Sequence, residues 1–446
     1  MKKRNQALFE KCVKYLYSFI NLERDTAAIK SSEYKLDCMR FLLKRFGNPQ
    51  QGFKVIHIAG SKAKGSTACF LAAGLRAAGK HTGMYTSPHV SSILERIVIN
   101  GEPVAIDVFT GLCGELQQVL GRIPKADFPG GKQPSFFELM TLLAWLAFKR
   151  QGCEYVILET GLGGRLDATN IVNPAAVVLT PIEMEHEAIL GNTLEKIAAE
   201  KCGIIKRNIP VFCGFQNRAV KKVVREYAAA HNAALYFLDE AIERLVVSDS
   251  VEHTEFSLVM AGDKERNFQL LLPGAFQAEN ASLAFLVLHT LYPELPDDVI
   301  KQGFSTAFLP ARMEVLNKNP LVIIDGAHTP GSVSRAVSSF SHLAGQRGIL
   351  LFAAVTGKKI EEMAAILAPQ FLHIIISTPG SFRRSDPREV YKAFYRLNKQ
   401  TTLEKNPARA LKKALSLSGK VVPVLATGSL YFAAELRRLF SVALPS

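Results

Sequence analysis

Long apolar runs, closely spaced cysteines and tryptophan are what this chain has little of. No uninterrupted apolar stretch approaches the roughly 20 residues that a membrane-spanning helix needs, so no membrane span is expected. The seven cysteines, Cys12, Cys38, Cys69, Cys113, Cys153, Cys202 and Cys213, are odd in number and widely spaced, with no C-x-x-C pair. That excludes a sequence-evident zinc ribbon and gives no disulfide framework. The start, MKKRNQALFEKCVKY, is basic, but Glu10, Lys11 and Lys14 interrupt the apolar stretch a signal peptide requires. A soluble, reduced, cytoplasmic protein is therefore expected. With one tryptophan among 446 residues, a base-stacking platform would have to rely on the 27 Phe and 11 Tyr. Repeats and low-complexity segments are absent as well.

What is present points to a large globular protein. The chain is 48% apolar and 21% charged, a balance that supports a buried core rather than a disordered tail. Its length suits two or three domains. Lys and Arg outnumber Asp and Glu by 54 to 40, a surplus of +14 that suggests an anionic partner. That partner is either nucleic acid or a small polyanion.

Strand and helix patterns alternate along the chain. The apolar runs Phe53–Ala59, Tyr155–Glu159 and Ala175–Thr180 read as strands, and Ser66–Ala78, Thr193–Ile205 and Arg218–Asn232 as helices. Short apolar strands separated by helices predict βαβ units and a parallel sheet. The stretch Arg244–Leu272 alternates differently and carries a turn candidate, Ala261-Gly262-Asp263, so an appended antiparallel hairpin is expected there. After the Pro-marked segment Tyr292–Pro310, further strands are expected at Leu321–Asp325, Ile349–Val355, His373–Thr378 and Val421–Ala426. The reading is an α/β protein of two domains, residues 1–305 and residues 306–446, the second of ordinary domain size.

The strand FKVIHIA runs into Gly60-Ser61-Lys62-Ala63-Lys64-Gly65-Ser66 and then a helix. In that context backbone N–H groups and a helix N-terminus can cradle phosphate. Lys64 would neutralise terminal phosphates and the Ser66 hydroxyl would ligate Mg²⁺. The strict G-x-x-x-x-G-K-[ST] pattern is not matched, because Gly65 separates the lysine from the serine. A basic surface loop is the competing reading.

The run Leu158-Glu159-Thr160-Gly161-Leu162-Gly163-Gly164-Arg165-Leu166-Asp167-Ala168-Thr169-Asn170 resembles the signature of the folylpolyglutamate synthase/dihydrofolate synthase family, within the Mur-ligase superfamily. Other blocks follow that family's order. They include Arg45-Phe46-Gly47-Asn48-Pro49, the phosphate loop, Thr86-Ser87-Pro88-His89 with Glu95-Arg96-Ile97, and Phe136-Phe137-Glu138-Leu139. Leu190-Gly191-Asn192-Thr193 then leads into Glu200-Lys201-Cys202-Gly203, and Asn280, Arg312, Asp325-Gly326-Ala327-His328 and Thr427-Gly428-Ser429-Leu430-Tyr431 look like the later blocks.

The resemblance implies a Mur-ligase ATPase domain with a mainly parallel sheet and a smaller Rossmann-like C-terminal domain. It also implies an ATP-dependent ligase that joins L-glutamate to a reduced folate or to dihydropteroate through an acyl phosphate. Carried over position by position, Gly60, Ser61, Lys62, Ala63, Lys64, Gly65 and Ser66 hold the triphosphate and a first Mg²⁺, with Glu159 as a further ligand. His186 resembles the ligand of a second Mg²⁺, and Lys201 the lysine that CO₂ carbamylates in this family. Asn280, Arg312 and Asp325 resemble residues that hold adenosine and phosphates, and His328 sits beside the glutamate and ATP region. A monomer is the family default. The bland readings are a strand-end salt bridge for Glu159, a solvated loop histidine for His186 and a surface lysine for Lys201.

Departures from the pattern lie close to the chemistry. Lys62 and Ala63 stand where the family loop has asparagine and glycine, Glu185 replaces the aspartate before His186, and Thr329 replaces an asparagine after His328. If the glycine position needs φ > 0, alanine there costs roughly 1 kcal/mol or more. These departures keep open a degenerate relative that binds nucleotide or folate with little ligation. A nucleic-acid binder, invited by Lys221, Lys222 and Arg225 on one helix and Arg437 and Arg438 on another, has the solvated helix face as its simpler explanation. A peptidoglycan-type Mur ligase is disfavoured by the Phe136-Phe137-Glu138 block and the glycine-rich signature.

Overall fold

The computed structural model describes residues 2–21, 23, 35–380 and 383–443. Among these the apolar runs form an eight-stranded sheet. Its strands are Lys54–Ala59 (β1), Thr82–Tyr85 (β2), Ile97–Ile99 (β3), Glu102–Pro103 (β4), Tyr155–Glu159 (β5), Ala176–Leu179 (β6), Val211–Cys213 (β7) and Leu235–Phe237 (β8). The spatial order is β4-β3-β2-β5-β1-β6-β7-β8. Strands β2, β5, β1, β6, β7 and β8 run parallel, whereas β3 and β4 pair antiparallel at one edge. β1 and β5 are buried along nearly their whole length, as the unbroken apolar runs require of strands covered on both faces.

This order reverses at β1. The chain goes from β1 to β2 and β5 on one side, then crosses to β6 on the other. Open α/β sheets bind ligands at such a switch point, outside the carboxyl ends of the strands. The register aligns those ends, pairing Ile58 with Glu159 and Ala59 with Leu179. The loops after β1, β5 and β6 therefore leave the sheet together.

Strands Ile242–Asp249 (β9), Thr254–Met260 (β10) and Glu265–Leu270 (β11) form a separate three-stranded sheet with β10 in the middle. Their connections are too short for a parallel crossover, so the sheet is an antiparallel meander. The expected hairpin thus has one more strand than the alternation suggested, and Gly262 at φ +73° makes the turn between the last two.

The second large sheet has six strands in the order β12-β13-β17-β14-β15-β16. They are Glu314–Lys318 (β12), Leu321–Ile324 (β13), Gly348–Phe352 (β14), Phe371–Ile376 (β15), Thr401–Leu403 (β16) and Val424–Thr427 (β17). All pair in parallel except β12, which is antiparallel to β13. The strand expected at Val421–Ala426 begins later, since Val421 is 72% exposed and precedes the buried run. The Pro-marked segment also contains a helix, Asp297–Ser305, with Pro296 at its N-cap.

Two compact units contain these elements. The first comprises Met1–Leu245, Leu258–Arg266 and Glu279–Thr306; the second comprises Val246–Ser257, Asn267–Ala278 and Ala307–Ser446. Residues of the small sheet fall partly in each. A large core in the first unit gathers Trp145, Phe136, Phe148 and Leu158, and a core in the second gathers Phe340, Phe352, Phe371 and Phe394. The seven cysteines are free thiols. No helix among the described residues is long and apolar enough to cross a membrane.

Candidate active site

The phosphate loop is tied to the chain that leaves β6. Ser61 and Lys62 donate their backbone N–H groups to Pro181 O at 2.9 and 3.2 Å. Thr180 Oγ1 donates to Lys62 O at 2.6 Å, and Ser61 Oγ donates to Glu183 O at 2.9 Å. Gly60 allows this approach, because a Cβ there would lie 1.8 Å from Thr180 Oγ1. The helix Lys64–Ala77 then starts with no acidic residue in its first turn. Its leading N–H groups lack intrahelical acceptors, which suits an anion.

Ala63 occupies the left-handed region at φ +66°. The positive φ anticipated for the family's glycine is thus present, and alanine holds it at about 1–2 kcal/mol of strain. Ala63→Gly should relieve that strain and raise the urea midpoint modestly, because the added freedom of the unfolded chain offsets part of the gain. A lowered midpoint would show that the methyl group contributes packing that exceeds the strain.

Lys64 turns back over the loop. Its Nζ donates to Gly60 O at 3.1 Å and lies 3.8 Å from Glu159 Oε1. Glu159 ends β5, is buried, and accepts the Ser87 N–H on its other oxygen at 3.2 Å. The strand-end glutamate therefore faces a cation and is aimed into the loop. Ser66 is also buried, one helical step beyond.

Lys201 lies on the helix Leu194–Cys202 and is 3% exposed, so it is no surface lysine. Its Nζ donates to the same carbonyl, Gly60 O, at 2.7 Å. Burial, with the neighbouring charges of Lys64 and Lys62, lowers its pKa to about 7 despite Glu185 and Asp167. The neutral amine is therefore far more accessible here than at an ordinary lysine.

The glycine-rich signature explains how that helix is placed. A Cβ on Gly164 would lie 2.8 Å from both Glu200 O and Lys201 O, and one on Gly203 would lie 2.3 Å from Arg165 Cβ. Asp167 orders the loop by accepting from Gly161 N, Leu162 N, Thr169 N and Thr169 Oγ1 at 2.6–3.0 Å. Asn170 Nδ2 donates to Arg165 O and Gly203 O, while its oxygen accepts from Lys206 Nζ. Gly164→Ala should push the helix away from Gly60 and destabilise the protein by about 1–3 kcal/mol. Equilibrium denaturation measures this, and an unchanged midpoint would remove the packing role given to Gly164.

His186 stands at φ +53°, with Nε2 3.0 Å from Glu185 Oε1. Glu185 Oε2 accepts from Lys62 Nζ at 2.6 Å. Burial pushes the Glu185 carboxyl up, but Lys62, His186 and Lys64 together hold it well below the usual range.

In the second unit the expected residues gather around Asp325. This buried carboxylate accepts from Met313 N at 2.9 Å and Ala327 N at 2.8 Å. Burial raises its pKa against the opposing charge of Arg312. Arg312 sits between Ala311 and Met313, both in the left-handed region, and its Nη1 donates to Ala311 O at 3.2 Å. His328 places Nδ1 2.9 Å from Gly326 O. Thr329 has a local explanation, since its hydroxyl caps the helix Pro330–Ala344 by accepting from Ser332 N. Asn280, buried on the helix Phe276–Leu291, belongs to the first unit.

No group of three or more His, Cys, Asp and Glu side chains converges among the described residues. Mg²⁺ that bridges nucleotide phosphates takes only one or two carboxylates, with phosphate oxygens and water completing its shell. The Ser66 hydroxyl and the Glu159 carboxylate, already facing the Lys64 cation, fit that donor set. Two further residues shape the geometry without a role that the sequence motifs assign. Asp167 lay inside the signature, and Thr180 ended an expected strand.

Four residues of the basic clusters have acidic partners. Lys221 pairs with Asp239 and Glu240, Arg225 pairs with Glu240, and both stack over Phe237. Arg437 pairs with Glu314 and Arg438 with Glu435.

Residues 58–288 match the Mur ligase middle domain and residues 311–430 match the Mur ligase, glutamate ligase domain. The dihydrofolate synthase/folylpolyglutamate synthase of Bacillus subtilis is 32% identical over 407 residues, covering 90% of this chain and 93% of that protein. Mycobacterium tuberculosis folylpolyglutamate synthase, solved with ADP and AMPPCP, superposes with a TM-score of 0.88 at 27% identity, covering 98% of this chain and 99% of that one. An FPGS–AMPPCP–folate complex superposes with a TM-score of 0.80 at 27% identity, covering 96% and 98%. With both Mur ligase domains matched in order and the switch-point loops assembled around Gly60, this chain belongs to the folylpolyglutamate synthase/dihydrofolate synthase family of Mur ligases.

Proposed function

We propose that this protein uses ATP to join L-glutamate to a folate carboxylate, with dihydropteroate as a second acceptor. The observation that carries the reading is the convergence of Lys64 and Lys201 on one carbonyl, Gly60 O, with the buried Glu159 carboxylate beside Lys64. A lysine cation, a second lysine of lowered pKa and a carboxylate at a phosphate loop suit a reaction between anionic partners, where positioning and charge compensation supply most of the rate.

The acceptor carboxylate attacks the γ-phosphorus of ATP, and the bond to the leaving ADP oxygen breaks. The acyl phosphate so formed is attacked at its carbonyl carbon by the neutral amine of glutamate. The tetrahedral adduct expels inorganic phosphate, and the amine proton leaves to solvent as the amide forms. Lys64 follows the charge developing on the transferred phosphoryl group, and the first-turn N–H groups of its helix hold the phosphates. Ser66 and Glu159 would hold one Mg²⁺, with His186 and Lys201 toward a second. When bound, Mg²⁺ offsets phosphate charge and orients the oxygens for in-line transfer.

Lys201 would serve a metal as a carbamate: its neutral Nζ would bond to the carbon of CO₂, a proton would leave, and an anionic oxygen donor would result. The lowered pKa near 7 and the buried position favour that reaction. Asn280, Arg312, Asp325 and His328 are assigned to nucleotide and glutamate by their place in the family pattern.

The test is ADP release by purified protein with ATP, Mg²⁺ and L-glutamate, offering tetrahydrofolate and dihydropteroate separately. Stimulation by either acceptor, with glutamate-dependent product, is expected. ATP binding without acceptor-stimulated ADP release would instead establish a degenerate, binding-only relative.

A further inference from the structure

Two of the departures from the family pattern touch each other. Lys62 and Glu185 are 123 residues apart in sequence, yet Lys62 Nζ lies 2.6 Å from Glu185 Oε2. Both side chains are nearly buried, at 13% and 10% exposure. The second Glu185 oxygen is 3.0 Å from His186 Nε2. One carboxylate thus bridges the phosphate loop and the histidine, using one oxygen for each.

The lysine end of this bridge is anchored. Lys62 donates its N–H to Pro181 O and accepts from Thr180 Oγ1 at its carbonyl. At the histidine end the backbone is left-handed, and the imidazole Nε2 meets Glu185 Oε1 at 3.0 Å. An imidazole bound to a carboxylate through one nitrogen carries its proton there, and presents the lone pair of the other nitrogen to a cation.

We infer that Lys62 and Glu185 are a coupled positioning pair: Lys62 holds Glu185, Glu185 fixes His186 as the Nε2–H tautomer, and Nδ1 is left as the metal-facing nitrogen. This rests on the proposed role of His186 as a Mg²⁺ ligand. The pair exchanges an uncharged residue and a short carboxylate for a cation and a longer carboxylate that can reach it. Each change alone leaves an unmatched group in a nearly buried site, whereas the two together restore a match. The two departures thus meet in one ion pair.

The experiment uses Mn²⁺ as the probe metal with the intact protein and AMPPCP, so that binding is read without turnover. Free Mn²⁺ is followed by electron paramagnetic resonance in Lys62→Asn, Glu185→Asp, the double variant and His186→Ala. Each of the first two is expected to weaken Mn²⁺ binding by about 10–100-fold. The double variant should recover to within about threefold of the parent, far from the product of the single losses. Hyperfine coupling from histidine carrying ¹⁵N at Nδ1 alone should report Nδ1 rather than Nε2 as the coordinating atom. Additive losses in the double variant, or coupling from Nε2, would overturn the pairing while leaving His186 as a ligand. Unchanged Mn²⁺ binding in His186→Ala would instead overturn the ligand role itself. Should a single variant fail to fold, a folded double variant with parental affinity still supports the coupling, and one weakened tenfold or more refutes it.

Discussion

Replacing Lys201 with methionine is expected to lower glutamate-dependent ADP release by on the order of 10²–10³-fold, the scale of losing one charged group aimed at the reacting centre. Methionine keeps an apolar stem in the buried site, so lost packing is not the cause. The amine it removes is 2.7 Å from Gly60 O and has its pKa lowered to about 7 by burial and by Lys64 and Lys62. Only the unprotonated amine reacts with CO₂. The depressed pKa therefore places the reactive form above about pH 7, and activity should fall as pH drops through that value. Removing CO₂ and bicarbonate should depress the parent protein most at the acid end, and adding bicarbonate should restore it. Lys201→Met should ignore both treatments. Full turnover in Lys201→Met, or a parent rate indifferent to bicarbonate, would exclude a carbamate at this position.

The sequence made the strands at the centre of the first sheet legible because β1, β5 and β6 are buried on both faces and read as unbroken apolar runs. β3, β4, β7, β8 and β16 were not legible, since two or three residues cannot display a period. The phosphate loop, Glu159 and Lys201 could be located by motifs that each span one element and an adjoining turn. Contacts between distant segments were out of reach. Nothing local in Gly60-Ser61-Lys62 says that Glu185 receives the lysine, or that Thr180 and Pro181 hold the loop's polar groups. Without that contact Lys62 reads as an extra cation and Glu185 as a conservative slip. Ala63 shows the intermediate case, in which a glycine position predicts the backbone angle and the structure supplies it. Thr329 shows that a departure can be purely local, because its hydroxyl serves the helix that follows.

Lys64→Ala should be comparably damaging, with kcat lowered by on the order of 10²–10³-fold and ATP binding weakened as well. Lys64 bridges the Gly60 carbonyl and the vicinity of Glu159. An entering triphosphate competes for that ammonium with a carbonyl and a carboxylate already at hand, so the lysine is preorganised rather than recruited from solvent. Arginine should not rescue the loss, because its wide planar fork does not reproduce a compact ammonium over Gly60 O. A second consequence separates this lysine from a simple phosphate anchor. The charge of Lys64 is, after burial, the next largest influence lowering the pKa of Lys201. Removing it should let that pKa rise, and the acid limb of the residual activity should move to higher pH. A Lys64→Ala profile that keeps the parent's acid limb would break the proposed link between the phosphate loop and the state of Lys201. A shift upward would show that the loop lysine, besides meeting phosphate, keeps its buried neighbour neutral enough to react.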